Sequence, residues 1–70
     1  MVRKYSITLH GHRTSFSLEE EFHLEIRALA AARGQSLAAL IAEIDSARQG
    51  RDNLSSALRV FVLRAVKSGS

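Results

Sequence analysis

The chain has 70 residues and a mass of 7.7 kDa, so it forms at most one small domain. Hydrophobic residues make up 46% of it and charged residues 24%, which is typical of a globular protein and too apolar for a disordered one. The absence of cysteine excludes disulfides and thiolate zinc sites. Because so short a chain buries only about 60% of its unfolded surface, we expect a second copy to add stability.

The formal net charge is +3 and the isoelectric point about 10.2, which favours an anionic partner. The first 18 residues carry three basic side chains and no acid, whereas residues 19–34 are net negative and residues 35–70 net positive. No apolar stretch reaches the roughly 18 to 20 residues of a transmembrane helix, and no signal-peptide core follows the N-terminus. We therefore expect a cytoplasmic protein that does not enter a membrane.

Two short segments near the N-terminus alternate in polarity. Residues 13–18 predict a half-buried strand. One side of it carries Thr14, Phe16 and Leu18, and the other carries Arg13, Ser15 and Ser17. Tyr5 to Leu9 also alternates, and His10-Gly11-His12 is then a turn. Residues 1–12 are either an N-terminal arm or an extra strand of a single-chain hairpin.

Three helices are predicted after the strand. Residues 19–33 have an apolar face with helical spacing, Ser17 and Glu20 match a capping box, and Gly34 marks the end. Residues 36–48 form a second helix capped by Ser36. Residues 49–51 break that pattern, and Asp52 or Asn53 caps a third helix over residues 52–67. The organisation is a core at residues 13–49 with a C-terminal helix packed on the same domain.

A strand with one apolar face needs a neighbour for its backbone groups, and the simplest neighbour is the same strand of another copy. Residues 13–18, the amphipathic helix, the turn Gly34-Gln35-Ser36 and the second apolar helix resemble the ribbon-helix-helix family of DNA-binding proteins, which includes the Arc and methionine repressors. The resemblance covers about residues 13–48, and the third helix is similar to that of short bacterial members. It implies a mainly α fold, an intertwined homodimer and a two-stranded antiparallel intermolecular β-ribbon.

The resemblance also implies roles for particular residues. Outward strand residues enter the major groove of double-stranded DNA and contact bases, and the start of the second helix holds a phosphate. The base contacts map to Arg13, Ser15 and Ser17, and the phosphate contacts to Ser36, Leu37 and Ala38. Ser17 is either a base contact or only a helix cap. Arg3 and Lys4 either reach phosphates or serve only solubility. The expected dimer core consists of Phe16, Leu18, Phe22, Ile26, Leu29, Leu40, Ile41 and Ile44.

Other chemistry receives little support. His10 and His12 lack a nearby carboxylate partner and are a weak metal signal, and His23 is expected to line an edge of the first helix, so we expect neither metal nor cofactor. Glu19, Glu20 and Glu21 are consecutive and project in different directions, so an enzyme is not expected. This acidic triplet departs from the family pattern and would repel phosphate if it faced DNA.

The sequence thus predicts a sequence-specific DNA-binding protein that regulates transcription, with a bacterial repressor as the family precedent. The alternative is a protein-interaction module, antitoxin-like or an adaptor, that docks a partner protein through its C-terminal helix. The apolar run Val60 to Leu63 motivates this alternative, because it is broader than a one-sided helix needs.

Overall fold

The computed structural model describes residues 1–48 and 53–69. It contains two strands followed by three helices. They are β1 (Val2–Leu9), β2 (His12–Glu19), α1 (Glu20–Ala32), α2 (Leu37–Ala47) and α3 (Leu54–Lys67). The fold is mainly helical, and the order of a strand and three helices agrees with the prediction. The predicted break at residues 49–51 and the candidate cap Asp52 lie outside the described residues.

β1 and β2 form an antiparallel hairpin within one chain. The register runs from Leu9 opposite His12, beside the turn, to Val2 opposite Glu19 at the open end. His10 and Gly11 connect the strands with φ angles of 52° and 80°. Positive φ at both central residues is the signature of a type I′ turn, whose twist matches that of the flanking strands. The segment before residue 13 is therefore a strand, and it gives β2 a neighbour from the same chain.

α1 begins without the predicted capping box. Its N-cap position is Glu19, and no side chain caps it. The prediction was wrong because β2 continues to Glu19, which leaves Ser17 extended inside the strand and two residues before the cap. Glu20 and Glu21 in the first turn still favour the positive end of the helix dipole.

The end of α1 follows the prediction. Gly34 has a φ of 70°, and its N–H donates to the Ala31 carbonyl at 3.1 Å. The Gln35 N–H donates to the Ala30 carbonyl at 2.9 Å. This pair of bonds is the Schellman motif, which needs a left-handed residue where glycine is least strained. The turn therefore allows α2 to start after only a few residues.

Side chains cap the other two helices as predicted. The Ser36 Oγ accepts from the Ala39 N–H at 3.1 Å at the start of α2. The Asn53 Oδ1 accepts from the Ser56 N–H at 2.7 Å at the start of α3. Each bond satisfies one of the donors that a helix leaves unpaired at its N-terminus.

The hydrophobic core lies between one face of the hairpin and the three helices. The buried core residues are Leu9, Phe16, Leu18, Ile26, Ala30, Leu40, Ile41, Ile44, Leu54, Leu58 and Val62. Phe22 and Leu29 pack against this cluster and are partly buried. Of the eight residues expected in a dimer core, six are thus buried within one chain. β1 and α3 provide the cover, so this burial does not require a second copy.

Polar and aromatic contacts attach the hairpin to the helices. The Ser17 N–H donates to the Ser55 Oγ at 2.9 Å, and the Arg59 Nε donates to the Glu19 Oε1 at 2.9 Å. On the other strand, the Tyr5 ring stacks on His23 with centroids 3.9 Å apart. These contacts fix β2 to α3 and β1 to α1. None of the described helices is long and apolar enough to cross a membrane.

Candidate nucleic-acid interface

The hairpin has two chemically different faces. The inner face packs on the helices through Tyr5, Ile7, Leu9, Phe16 and Leu18. Strand alternation and the register place six exposed polar side chains together on the opposite side, which we call the outer face. The outer face consists of Lys4, Ser6, Thr8, Arg13, Ser15 and Ser17.

The outer face is organised as three cross-strand pairs. Lys4 lies opposite Ser17, Ser6 opposite Ser15, and Thr8 opposite Arg13. A two-residue turn makes the pair beside it hydrogen-bonded, so these three alternate pairs are the non-hydrogen-bonded ones. Side chains in such pairs are close, with Cβ atoms roughly 4.5 to 5.5 Å apart. The six side chains therefore form one continuous patch about 14 Å long.

The charges on this patch lie at its ends. Lys4 is near the open end of the hairpin and Arg13 near the turn, on opposite strands, with hydroxyl groups between them. Within the described residues neither cation forms a salt bridge. An arginine can bind the O6 and N7 atoms of guanine, and hydroxyls can donate to or accept from base edges. The arrangement therefore suits a polyanion with readable hydrogen-bonding edges.

The acidic residue nearest the outer face, Glu19, forms an ion pair with Arg59. Glu19 follows Ser17 on the same side of β2, and its carboxylate receives a hydrogen bond from Arg59. This hydrogen bond is the main reason that the pKa of Glu19 lies below its ordinary value, and the Arg59 charge acts in the same direction. Glu19 therefore stays ionised beside its own counter-charge. The other two members of the acidic triplet belong to the first turn of α1.

The Ser17 hydroxyl has no hydrogen-bond partner within residues 1–48 and 53–69. The backbone N–H of Ser17 points away from β1 and donates to Ser55, while its side chain is exposed on the outer face. Since α1 has no side-chain cap, the cap alternative for Ser17 does not apply. A base contact by Ser17 remains a prediction.

Not every predicted site residue joins the outer face. Arg3 lies opposite Leu18, so its position in the alternation is on the inner side of the hairpin, where it is exposed. Ser36, Leu37 and Ala38 form a separate group at the start of α2. The Ser46 Oγ near the other end of α2 lies 3.2 Å from the His10 Nε2 at the hairpin turn. The α2 N-terminus is thus about 15 Å further along the helix.

The histidines have structural positions. His10 occupies the turn, and His23 stacks on Tyr5. Burial is the main cause that lowers the pKa of His23, Arg27 lowers it further, and Glu20 raises it. Across residues 1–48 and 53–69, no group of three or more His, Cys, Asp or Glu side chains is placed to hold a metal ion.

Ser6 and Thr8 are outer-face residues that the sequence did not single out. Their signal was the alternation of residues 5–9, but that alternation says only that they share a side of β1. The hairpin register was needed to place them opposite Ser15 and Arg13.

These observations define a class of protein that presents a polar antiparallel ribbon on a three-helix support, with a tight glycine turn between the first two helices. A family model described as "Ribbon-helix-helix domain" matches residues 2–66, and the chain belongs to that family. The match includes β1 and α3, beyond the segment whose sequence resembled the family. Proteins of this family generally bind DNA and regulate transcription. No curated protein sequence and no solved structure matches the chain.

Proposed function

We propose that this protein binds double-stranded DNA sequence-specifically through the outer face of its hairpin and acts as a transcriptional regulator. The observation that carries the proposal is the continuous, exposed, polar and basic face on an antiparallel ribbon. A B-DNA major groove is roughly 12 Å wide and admits a two-stranded ribbon, whose strands are about 4.8 Å apart.

Within this proposal Arg13 grips a guanine, and Ser15 and Ser17 contact neighbouring base edges. Base edges in the major groove distinguish all four base pairs, so such contacts carry sequence information. Lys4 neutralises a phosphate at the other end of the patch. The ion pair of Glu19 with Arg59 supports this placement, because an unpaired carboxylate there would repel the DNA backbone.

A second contact is proposed at the start of α2. Ser36 caps the Ala39 N–H, and the first turn of α2 contains no acid. The N–H groups of Leu37 and Ala38 are then available, together with the positive end of the helix dipole, to bind a backbone phosphate. This contact would fix the orientation of the protein on the duplex.

We further propose that the protein acts as a homodimer. β2 has β1 on one edge, and its other edge carries backbone groups that a second copy of β2 can pair. Among the described residues, α3 occupies this edge at Ser17 through Ser55. Pairing of the two β2 strands centred near Ser15 would have to release that bond and would make a four-stranded sheet, whereas pairing restricted to the residues near Arg13 would leave the bond in place and keep most of each hairpin two-stranded.

The test is binding of the purified protein to random duplex DNA across a salt series, followed by selection of enriched sequences and sedimentation of the complex. We expect affinity to fall steeply with salt and one short palindromic site to be enriched. Arg13→Ala should weaken binding to that site by about tenfold or more.

Arg64→Ala is the matched control, because it removes the same charge from an exposed position on α3 that lines a groove between helices. If Arg13→Ala and Arg64→Ala reduce affinity equally, the base contact is withdrawn. If the unchanged protein binds no DNA even at low salt, the proposed function itself is withdrawn.

A second candidate function follows from α3. Val60, Leu63 and Val66 of α3 are 42%, 56% and 55% exposed. The same helix buries Leu54, Leu58 and Val62, so it carries exposed apolar side chains in addition to its core face. A partner protein, as for an antitoxin or an adaptor, would cover these exposed apolar side chains. Removing α3 would destroy the core, so the test is Leu63→Glu: loss of a co-purifying protein with unchanged DNA binding would support this role.

A further inference from the structure

We propose that β1 is a second DNA-reading strand, in which Ser6 and Thr8 determine base preference together with Ser15 and Arg13, and Lys4 contacts a phosphate. This inference rests on the proposed function and extends it from one strand to two. The recognition surface is then the hairpin of a single chain and not β2 alone.

The register is the first reason. Ser6 lies directly opposite Ser15, and Thr8 directly opposite Arg13, in pairs whose side chains approach most closely. A ligand that touches Ser15 is therefore within one strand spacing, about 4.8 Å, of Ser6. A base pair presents donors and acceptors from both of its bases across the groove, so two adjacent rows can contact one base-pair edge.

The second reason is that other parts of the same chain already contact both edges of β2. β1 pairs with β2 over its whole length, whereas the opposite edge is occupied at Ser17 by Ser55, and Glu19 beyond it is held by Arg59. The strand that completes a two-stranded ribbon is therefore present within the chain. Any duplex seated on the outer face meets β1 as well as β2.

The chemistry of β1 is the third reason. Its outer residues Lys4, Ser6 and Thr8 are exposed and polar, while Tyr5, Ile7 and Leu9 between them pack on the core. Thr8 offers a hydroxyl for a base edge and a methyl group for the thymine methyl.

Three variants test the proposal, each with a matched control. Ser6→Ala and Thr8→Val remove hydroxyls from the outer face, and Thr14→Val removes one from an exposed position on the inner side of the same hairpin. Lys4→Ala removes a cation from the outer face, and Lys67→Ala removes one from the last turn of α3. Circular dichroism and thermal melting verify that each variant is folded.

For each protein, sequences are selected from random duplex DNA and affinity is measured for the site that the unchanged protein prefers. We expect Ser6→Ala and Thr8→Val to lose about 3- to 10-fold in affinity and to relax base preference beside the Arg13 contact. Lys4→Ala should weaken all sequences alike and reduce the salt slope by about 0.9. Thr14→Val and Lys67→Ala should keep the preference and the salt slope.

The proposal is overturned if the β1 variants behave like their controls while Arg13→Ala loses the preferred site, since β2 would then read DNA alone. That result would leave the proposed function intact. Absence of DNA binding by the unchanged protein would instead remove both. If Ser6→Ala and Thr8→Val weaken binding to all DNA sequences alike and leave base preference unaltered, the proposal that β1 determines base preference is also overturned.

Discussion

The two faces of the hairpin share one backbone but have different roles: the inner face packs on the helices, and the outer face is exposed. Phe16 and Leu18 alternate along β2 with Ser15 and Ser17, and the first pair is buried while the second is exposed. A strand of eight residues thus supplies stability on one side and a candidate recognition surface on the other. Neighbouring substitutions should therefore have effects of different kinds.

The largest expected effect comes from Leu18→Ala on the inner face. Leu18 is fully buried, so its truncation removes apolar contacts and leaves a cavity that costs about 2 to 5 kcal/mol. Urea unfolding followed by circular dichroism measures the loss. Ser17→Ala, one residue earlier, should change stability by much less, and equal losses for the two variants would contradict the division between faces.

The next effect comes from Gly11→Ala in the turn that holds both faces in register. Gly11 has a φ of 80°, and a methyl group added there would meet no atom within 4 Å, so backbone strain and not a clash is the cost. A left-handed conformation costs a residue with a side chain about 1 to 2 kcal/mol. The same unfolding experiment should show this loss. No change would mean that the turn adopts another conformation.

A smaller effect on DNA affinity is expected from Arg59→Ala. Glu19 would then lack its counter-charge beside the outer face, so DNA binding should weaken several-fold, most strongly at low salt. Adding Glu19→Gln to Arg59→Ala should restore affinity, because the repelling charge is removed. If the double variant binds as weakly as the single one, Arg59 acts by another route.

The smallest expected effect is a pH dependence of folding stability that arises from His23 on the inner side of the hairpin. Burial and Arg27 hold the pKa of His23 below its ordinary value of 6.5, so the folded protein binds the proton less readily than the unfolded chain. Stability is therefore complete above about pH 6.5 and decreases as pH falls through that value toward the folded pKa. His23→Phe keeps an aromatic ring against Tyr5 and should flatten this dependence below about pH 6.5. An unchanged slope would assign it to other groups.

Much of the fold could be predicted because it depends on short-range sequence patterns. The alternation of residues 13–18, the caps Ser36 and Asn53, and the left-handed Gly34 all depend on neighbours within a few residues. The failed capping box shows the limit, since Ser17 and Glu20 had the right spacing but β2 extended through the cap position. Strand length is decided by pairing with β1, which no local pattern contains.

The β2 half of the candidate site could be predicted from local alternation, but the β1 half could not. The alternation of polar and apolar residues predicted that Arg13, Ser15 and Ser17 share one side of β2. The register of the hairpin was needed to place the β1 residues beside them. The Arg59 contact with Glu19 joins residues 40 positions apart, and only the tertiary fold brings them together. Arg3 illustrates the converse, because its charge suggested a role beside Lys4 while the alternation separates the two.

The stack of Tyr5 on His23 has a practical consequence. The chain contains one tyrosine and no tryptophan, so Tyr5 dominates its near-ultraviolet absorption and emission. Its ring lies on the inner face, stacked on Phe16 and on His23, and it loses the contact with His23 if the hairpin separates from α1. The protein thus carries an intrinsic optical reporter of hairpin seating, positioned on the side away from the proposed DNA contact.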